Sequence, residues 1–217
     1  MPELPGAETL RGASKMKRRF VIGLTGGIAT GKTTVLKEFA RAGIPTLSSD
    51  ALAHACLRPG HPVYRRVVRR FGRKILRDQG RICRRHLGRI VFAKPAERTW
   101  LERQIHPAVI RQLKSFIRKH RGLVALDIPL LFEARLGSLV DATLVVGSSR
   151  RSQIARMKRR DRLSDKDARQ RIRSQLPLGL KMKRADYTLR NDGSRAALRS
   201  GVRALVGRLQ EKGLTRE

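Results

Sequence analysis

The sequence predicts an α/β fold in which a parallel sheet of about five strands is flanked by helices. Short apolar runs alternate with longer segments of helical period, which is the order expected when helices cover both faces of a parallel sheet. The length of 217 residues suits one substantial domain better than two independent cores. A glycine-rich segment directly after the first apolar run is the third indication, because ligands of such folds bind at the carboxyl ends of the strands.

The elements follow from the apolar pattern. Strands are predicted at Phe20–Leu24, Ile44–Leu47, Leu123–Asp127, Ala142–Val146 and Tyr187–Leu189. Helices are predicted over residues 32–42, 96–120, 152–160, 165–174 and 195–209. About 75 residues separate the second and third strands, too many for a simple crossover, and their pattern predicts further helices at 63–71 and 84–92.

These elements predict a single domain over residues 19–212. Its core comprises residues 19–57 and 121–212, residues 58–120 form a helical insertion that holds a second substrate, and residues 150–180 form a helical lid. Residues 1–18 lack the apolar middle of a signal peptide, and we expect a disordered tail or a start upstream of the true initiator.

The composition is strongly basic, with 50 Lys and Arg against 17 Asp and Glu and a formal net charge of +33. Such a charge favours an anionic partner, either a polyphosphorylated small molecule or nucleic acid. The basic pairs are spread through the chain, and many are expected on solvated helix faces. Aromatic residues make up only 4%, which leaves little material for stacking bases. No apolar run approaches the roughly 20 residues that span a bilayer, so no membrane association is expected.

Residues Gly26 to Thr33 satisfy the phosphate-loop pattern G-x-x-x-x-G-K-[S/T]. The loop follows a predicted strand and precedes a predicted helix, which indicates a P-loop NTPase fold and a nucleotide site. Backbone N–H groups of the loop and the start of the helix stabilise bound phosphate. Lys32 is expected on the β- and γ-phosphates, with Thr33 on Mg²⁺.

Two carboxylates follow predicted strands. Asp127 ends an apolar strand, where P-loop enzymes hold Mg²⁺, although it also suits a cap of the turn before Pro129. Asp50 follows the second strand and reaches the same edge of the sheet, where it is placed to accept a proton from an attacking hydroxyl. The alternative for Asp50 is the N-cap of a helix that begins at Ala51.

The segment from Gln153 to Asp167 is dense in arginine. Arg156, Arg159 and Arg160 lie about one helical turn apart, and Ser164 opens a capping box with Asp167. Beside a phosphate loop, such arginines neutralise the transferred phosphoryl group and close the site, which favours a lid. Without the loop, the segment has the features of an ordinary exposed helix.

Several further motifs occur in a characteristic order. They are Asp50-Ala51, Phe71-Gly72, Arg84-Arg85 before Leu87-Gly88, Val91-Phe92, His106-Pro107, Asp127-Ile128-Pro129-Leu130-Leu131-Phe132-Glu133, Val140-Asp141, Arg160-Asp161, Gln175-Leu176-Pro177, Ala185-Asp186 and Asn191-Asp192-Gly193-Ser194. Together with the phosphate loop, from about Phe20 to Arg208, the chain resembles the dephospho-coenzyme A kinases.

The resemblance implies transfer of the γ-phosphate of ATP to the 3′-hydroxyl of dephospho-coenzyme A, with Mg²⁺ as cofactor. Asp50 would be the general base, and Lys32 and Arg156 would assist the transfer. The ATP-binding set would be Gly27, Ala29, Thr30, Gly31, Lys32, Thr33, Thr34, Arg160, Asn191 and Gly193. Arg85, His106 and Glu133 would bind the acceptor, although His106 before Pro107 also suits a helix boundary. Thr33 and Asp127 would hold the metal.

One position departs from the family pattern, which has a carboxylate two residues before its base, where this chain has Ser48. We therefore expect activity with an altered Mg²⁺ dependence. Two alternatives stay open: a nucleic-acid-associated ATP-binding protein, and a small-molecule kinase of the nucleoside monophosphate type. We expect a cytoplasmic monomer that binds nucleic acid non-specifically at most.

Overall fold

The computed structural model describes residues 19–215, with side chains as far as Glu211. Within that range, five parallel strands form one sheet in the order β2-β3-β1-β4-β5. The strands are β1 Phe20–Gly26, β2 Thr46–Ser48, β3 Leu123–Asp127, β4 Ala142–Gly147 and β5 Tyr187–Arg190. All five predicted strands are therefore confirmed. The predicted tail lies outside the described residues.

The helices are α1 Lys32–Arg41, α2 Ser49–Cys56, α3 Pro62–Phe71, α4 Arg84–Ala93, α5 Pro95–Lys119, α6 Arg150–Asp161, α7 Asp165–Arg173, α8 Leu178–Lys183 and α9 Arg195–Thr215. Short 3₁₀ turns lie at Arg73–Ile75, Asp78–Gly80 and Gly137–Leu139. Helix α8 was not predicted from the sequence, and α2 was predicted only in the alternative interpretation in which Asp50 is an N-cap. Pro107 lies inside the continuous helix α5, so a helix boundary at His106 was wrong.

The strands alternate their side chains between two hydrophobic layers, as the pleat requires. On one face, Leu123 and Ala125 of β3 pack with helices α1 and α9. On the other face, Val124 and Leu126 pack in the cluster that includes residues of α2, α3, α4 and α5. Both faces of the sheet are thus covered, which explains why the central strands read as continuous apolar runs.

The segment predicted to form a lid, residues 150–180, which we call the lid segment or lid, has a small core of its own. Ile154 and Met157 of α6 and Ala168 of α7 are buried together, and Ile28 and Ala29 of the phosphate loop pack against them. Ser164 caps α7 by accepting a hydrogen bond from the Asp167 backbone N–H at 3.1 Å, as predicted. Helix α6 is therefore not an ordinary exposed helix, because its apolar side lies on the phosphate loop.

Candidate active site

The phosphate loop turns sharply at the end of β1. Gly26 has φ of 152°, and a Cβ atom there would lie 2.3 Å from the Val146 carbonyl oxygen, so only glycine fits. Gly31 has φ of 97°, and a Cβ there would lie 2.2 Å from Asn191 Nδ2. No side chain among the described residues caps helix α1, which begins at Lys32. The start of the helix is therefore available to an anion.

Lys32 lies in this loop, and its Nζ donates to the Gly27 carbonyl oxygen at 3.1 Å. Burial lowers the pKa of Lys32, and the cations Lys181 and Arg160 act in the same direction, whereas Asp127 and Asp50 oppose the shift. The Lys32 ammonium group thus lies among charges of both signs at the point where phosphate is expected.

Asp127 ends β3 opposite Ser48, its register partner on β2. The Asp127 side chain is only 8% exposed, and Ser48 Oγ donates to its Oδ2 at 3.2 Å. Asp127 Oδ1 is buried and has no hydrogen-bond partner within the described part of the chain. The pKa of Asp127 is raised above its ordinary value, mainly by burial and also by the neighbouring Asp50. Lys32 and the Ser48 hydroxyl act in the opposite direction. Within the described residues, no backbone N–H group of the turn after β3 donates to the Asp127 carboxylate, so the capping alternative was wrong.

Asp127 and Thr33 fit a magnesium site whose remaining ligands come from the substrate and water. No group of three or more His, Cys, Asp or Glu residues within the described part of the chain is arranged to hold a metal alone. Mg²⁺ in nucleotide enzymes is commonly held by one or two carboxylates together with phosphate oxygens and water. Asp127, whose Oδ1 atom has no partner among the described residues, and Thr33, which carries a hydroxyl, line the same cavity and could supply such ligands.

Asp50 is the second residue of helix α2, whose N-cap is Ser48, so the N-cap alternative for Asp50 was wrong. Asp50 lines two cavities. The first, of about 800 Å³, contains the phosphate loop, Asp127 and the lid arginines Arg156, Arg159 and Arg160, and we call it the phosphate cleft. The second, of about 430 Å³, is lined by apolar residues of α5 and by the segment after β3, and we call it the acceptor groove.

The acceptor groove includes two of the three predicted acceptor residues. His106 and Glu133 line it together with Asp50. Arg85 is exposed on helix α4 and does not line it. The neighbouring Arg84 instead contacts the His54 ring. Sequence alone gave no means of choosing between these adjacent arginines.

Glu133 also joins the acceptor groove to the end of the lid. Its Oε1 accepts from Lys181 Nζ at 2.7 Å and from the Leu176 backbone N–H at 3.1 Å. Lys181 is fully buried, whereas many of the basic residues were expected on solvated helix faces. Burial raises the pKa of Glu133, but hydrogen bonds from Lys181 and from backbone N–H groups outweigh it and leave the pKa lowered.

Arg156 connects the lid to two loops. Its Nη1 donates to the Ala29 carbonyl oxygen at 3.2 Å, and its Nη2 donates to the Asn191 carbonyl oxygen at 2.6 Å. Asn191 Nδ2 in turn donates to the Thr30 carbonyl oxygen at 2.8 Å. The phosphate loop, lid and loop after β5 are therefore fixed to one another.

The remaining predicted residues fall around this network. Arg160 lines the cleft and pairs with Asp161 at 2.8 Å. Gly193 lies in the loop between β5 and α9, next to Asp192, whose carboxylate accepts from the Ser149 backbone N–H at 2.7 Å. Gln175, which the sequence analysis named as part of a motif without a site role, lines the same cleft, and its buried Oε1 atom has no partner among the described residues.

A phosphate loop, several arginines and a strand-end carboxylate around one cleft, on a five-stranded parallel sheet, are the features of the P-loop kinase class. A sequence model of dephospho-CoA kinase matches residues 20–197. The chain therefore belongs to the dephospho-CoA kinase family.

Individual relatives agree with the family match. A dephospho-CoA kinase of Thermosynechococcus vestitus is 47% identical over 181 residues, which cover 82% of this chain and 89% of the relative. One of Bacillus cereus is 43% identical over 178 residues, or 80% and 89% of the two chains.

Solved structures show the same architecture. A crystal structure from Thermus thermophilus has a TM-score of 0.75 and 34% identity, covering 89% of this chain and 99% of the other. A dephospho-CoA kinase from Campylobacter jejuni has a TM-score of 0.65 and 26% identity, covering 88% and 98%. A shikimate kinase from Acinetobacter baumannii, at 18% identity and a TM-score of 0.55 with 89% and 94% covered, is similar in fold.

Proposed function

We propose that this protein transfers the γ-phosphate of ATP to the 3′-hydroxyl of dephospho-coenzyme A, giving coenzyme A and ADP. The observation that carries the proposal is the position of Asp50, which lines both the phosphate cleft and the acceptor groove. A carboxylate at the junction of two substrate cavities suits proton transfer between them. Membership of the family supplies the identity of the acceptor.

In the proposed reaction, Asp50 accepts the proton of the acceptor hydroxyl as that oxygen attacks the γ-phosphorus. The bond between the γ-phosphorus and the bridging oxygen breaks, and ADP leaves. Lys32 and the amides at the start of α1 hold the β- and γ-phosphates, and Arg156 and Arg160 are positioned to neutralise the moving group. Mg²⁺, when bound, neutralises phosphate charge, and Thr33 and Asp127 would hold it.

Arg156 has to exchange partners when ATP enters. In the present structure its guanidinium is held by two backbone carbonyl oxygens. Phosphate oxygens are stronger acceptors for arginine than neutral carbonyls are. We propose that ATP draws Arg156 from Ala29 and thereby moves α6, so that residues 150–180 act as the lid. We propose separately that residues 58–120 are the acceptor-binding insertion.

We also propose a cytoplasmic monomer. No helix in the described range 19–215 meets the length and hydropathy needed to cross a membrane.

The test is an assay of purified protein with Mg-ATP and dephospho-coenzyme A, with AMP, CMP and RNA as competing acceptors, followed by chromatography. We expect coenzyme A and ADP at a kcat of about 1 s⁻¹ or more, the range usual for kinases. Phosphorylation of AMP or CMP instead would indicate the nucleoside monophosphate type. A folded, ATP-binding protein that makes no coenzyme A would contradict the proposal.

The nucleic-acid alternative has a separate test. Filter binding of RNA and DNA at increasing salt separates a specific site from the effect of the +33 charge. We expect retention at low salt that disappears near physiological salt. Sub-micromolar retention at physiological salt would favour a nucleic-acid function.

A further inference from the structure

A third cavity, which we call the basic cavity, lies at the end of helix α2 away from the phosphate cleft. Its volume is about 760 Å³. Five of its nine lining residues are arginine or histidine, and none is acidic. The lining residues are His54, Leu57, Arg58, Pro59, Arg77, Gln79, Arg81, Ile82 and Arg84.

The walls of the basic cavity are built by fixed structure. Residues 76–82 form a tight reversal in which Leu76 pairs with Ile82 in an antiparallel bridge. The Arg77 backbone N–H donates to the Arg81 carbonyl oxygen at 2.9 Å. Ile75 and Ile82 are buried in the main hydrophobic cluster and anchor both ends of the reversal. Arg77 and Arg81 are therefore held at one side of the cavity.

The arginines of the basic cavity lack carboxylate partners, unlike several arginines elsewhere. Arg70 pairs with Glu97 and Arg98 pairs with Glu102 on nearby helices. Among residues 19–211, no ion pair joins Arg58, Arg77 or Arg81 to an acidic side chain. Clustered cations without counter-ions repel one another, so an anion that enters the cavity lowers the electrostatic energy.

His54 fixes Arg84 within this cluster. The Arg84 guanidinium donates to His54 Nε2, which requires a neutral ring. Burial lowers the pKa of His54, and Arg84 and Arg58 lower it further, against the opposing effect of Asp50. The neutral imidazole thus orients one arginine and leaves its charge available to a ligand.

Helix α2 connects the basic cavity to the site of chemistry. Asp50 and His54 are four residues apart on this helix, so they lie on the same side, separated by one turn or about 6 Å along the axis. Ala53, between them, lines the acceptor groove. A ligand that places one atom at Asp50 and extends along α2 reaches the basic cavity directly.

The proposed acceptor has charges at the corresponding place. Dephospho-coenzyme A carries its reacting 3′-hydroxyl and a 5′-diphosphate on the same ribose. We infer that the basic cavity binds the diphosphate of the acceptor, with Arg84, Arg81, Arg77 and Arg58 as its cationic ligands. This inference rests on the proposed function for the identity of the acceptor. It assigns to Arg84 the acceptor contact that the family resemblance implied for Arg85.

The cavity supplies a physical basis for choosing this acceptor over a nucleoside. Planar guanidinium groups recognise phosphate through paired hydrogen bonds, and each such charged contact contributes strongly. An acceptor without a diphosphate leaves the arginines unpaired. The basic cavity therefore contributes to binding of the acceptor and not to binding of ATP.

The experiment is calorimetric titration of the intact protein with dephospho-coenzyme A, adenosine and inorganic diphosphate. The variants are Arg84→Gln, Arg85→Gln and Arg81→Gln. Arg89→Gln is the matched control, because Arg89 is exposed on the same helix as Arg84 and lines none of the three cavities. Melting curves verify that each variant folds. We expect Arg84→Gln to weaken dephospho-coenzyme A binding about 10- to 100-fold and to leave adenosine binding unchanged.

Several outcomes would overturn the inference. One is equal dephospho-coenzyme A affinity in Arg84→Gln and Arg89→Gln. Another is an equal loss for adenosine and dephospho-coenzyme A, which would indicate a structural role. Loss of binding in Arg85→Gln but not Arg84→Gln would restore the assignment from sequence, and loss of RNA retention alone would assign the cavity to nucleic acid.

Failure of the proposed function gives a different pattern. Wild-type protein that binds dephospho-coenzyme A through Arg84 without phosphorylating it would contradict the kinase activity and support the cavity. If dephospho-coenzyme A does not bind at all, the inorganic diphosphate titration decides. Diphosphate binding that Arg84→Gln weakens and Arg89→Gln does not would support an anion site, and equal binding would overturn it.

Discussion

The phosphate cleft and the basic cavity both receive anions in our account, but they are built differently. The cleft uses backbone geometry: glycines with positive φ, the uncapped start of α1, and carbonyls that fix Lys32 and Arg156. The basic cavity uses side-chain charge, from Arg58 just after α2, Arg84 on α4, and Arg77 and Arg81 in the reversal before α4. Backbone sites impose one ligand geometry, whereas arginine side chains adapt to a ligand that carries a longer substituent.

The difference predicts how each region responds to substitution. In the proposed reaction, individual groups of the cleft act on the transferred phosphoryl group, so removing one should affect kcat. In the inferred acceptor complex, several cations of the basic cavity share one ligand at a distance from the reacting atoms, so removing one should affect acceptor affinity. Asp50 lies at the boundary of the cleft and the acceptor groove. A substitution there should separate the two effects most clearly, by lowering the catalytic rate while changing substrate affinity least.

Asp50→Asn is expected to have the largest effect. The amide cannot accept the hydroxyl proton, so kcat should fall by roughly 10²- to 10⁴-fold. The KM for ATP should change little, because the phosphate loop stays intact. Steady-state kinetics at saturating acceptor measure both values, and thermal melting verifies the fold. Near wild-type turnover would exclude Asp50 as the base.

Lys32→Ala should lower kcat by roughly 10²- to 10³-fold, because it removes a cation aimed at the phosphates. Lys37→Ala is the matched control, since Lys37 is exposed on the same helix. The melting temperature should change little in both variants. An unchanged kcat with a loss confined to kcat/KM for the acceptor would contradict the proposed distinction between the cleft and the acceptor side.

Lys181→Met tests the ion pair that joins the acceptor groove to the lid. Removing the buried lysine leaves Glu133 poorly compensated, and the free energy of unfolding should fall by about 3 kcal/mol in urea titrations. Lys183→Met is the control, because Lys183 is exposed on the same helix. Equal losses in the two variants would contradict the role of the pair.

The same pair predicts a pH dependence. The folded-state pKa of Glu133 is lowered below the ordinary value of 4.5, so its stabilisation is complete above about pH 4.5 and is lost as pH falls through the folded pKa. Glu133→Gln should flatten the acidic limb of a plot of unfolding free energy against pH. A variant with the wild-type slope would show that other carboxylates account for that limb.

Ser48→Asp should have the smallest effect. The new carboxylate would lie beside Asp127, the register partner, and should strengthen Mg²⁺ binding. We expect the Mg²⁺ concentration for half-maximal rate to fall about fivefold, corresponding to roughly 1 kcal/mol. Ser48→Ala is the control that removes only the hydroxyl. Unchanged kinetics for Ser48→Asp at every Mg²⁺ concentration would show that this position does not tune the metal.

Features encoded in contiguous sequence were predicted well. The phosphate loop is one uninterrupted segment, so its glycines, Lys32 and Thr33 follow from a local pattern. Asp127 and Asp50 could be placed at the same edge because parallel strands end together. Helix α8 was missed because its six residues are too few to display a helical period.

Features that depend on distant contacts were not predictable. Lys181 has the sequence neighbours of a surface lysine, and only the approach of Glu133, 48 positions earlier, explains its burial. Arg84 and Arg85 are indistinguishable by residue type. Their helical positions relative to His54 decide which one reaches the basic cavity.

The sequence by itself determined the α/β architecture, the nucleotide loop and the family, because hydrophobic periodicity and short motifs act locally. The tertiary structure alone decided which carboxylate lies between the two cavities, which arginines have no counter-ion among residues 19–211, and how Arg156 links α6 to Asn191. Those properties depend on distances between atoms far apart in the chain. Burial and electrostatic interactions are functions of such distances and not of sequence separation.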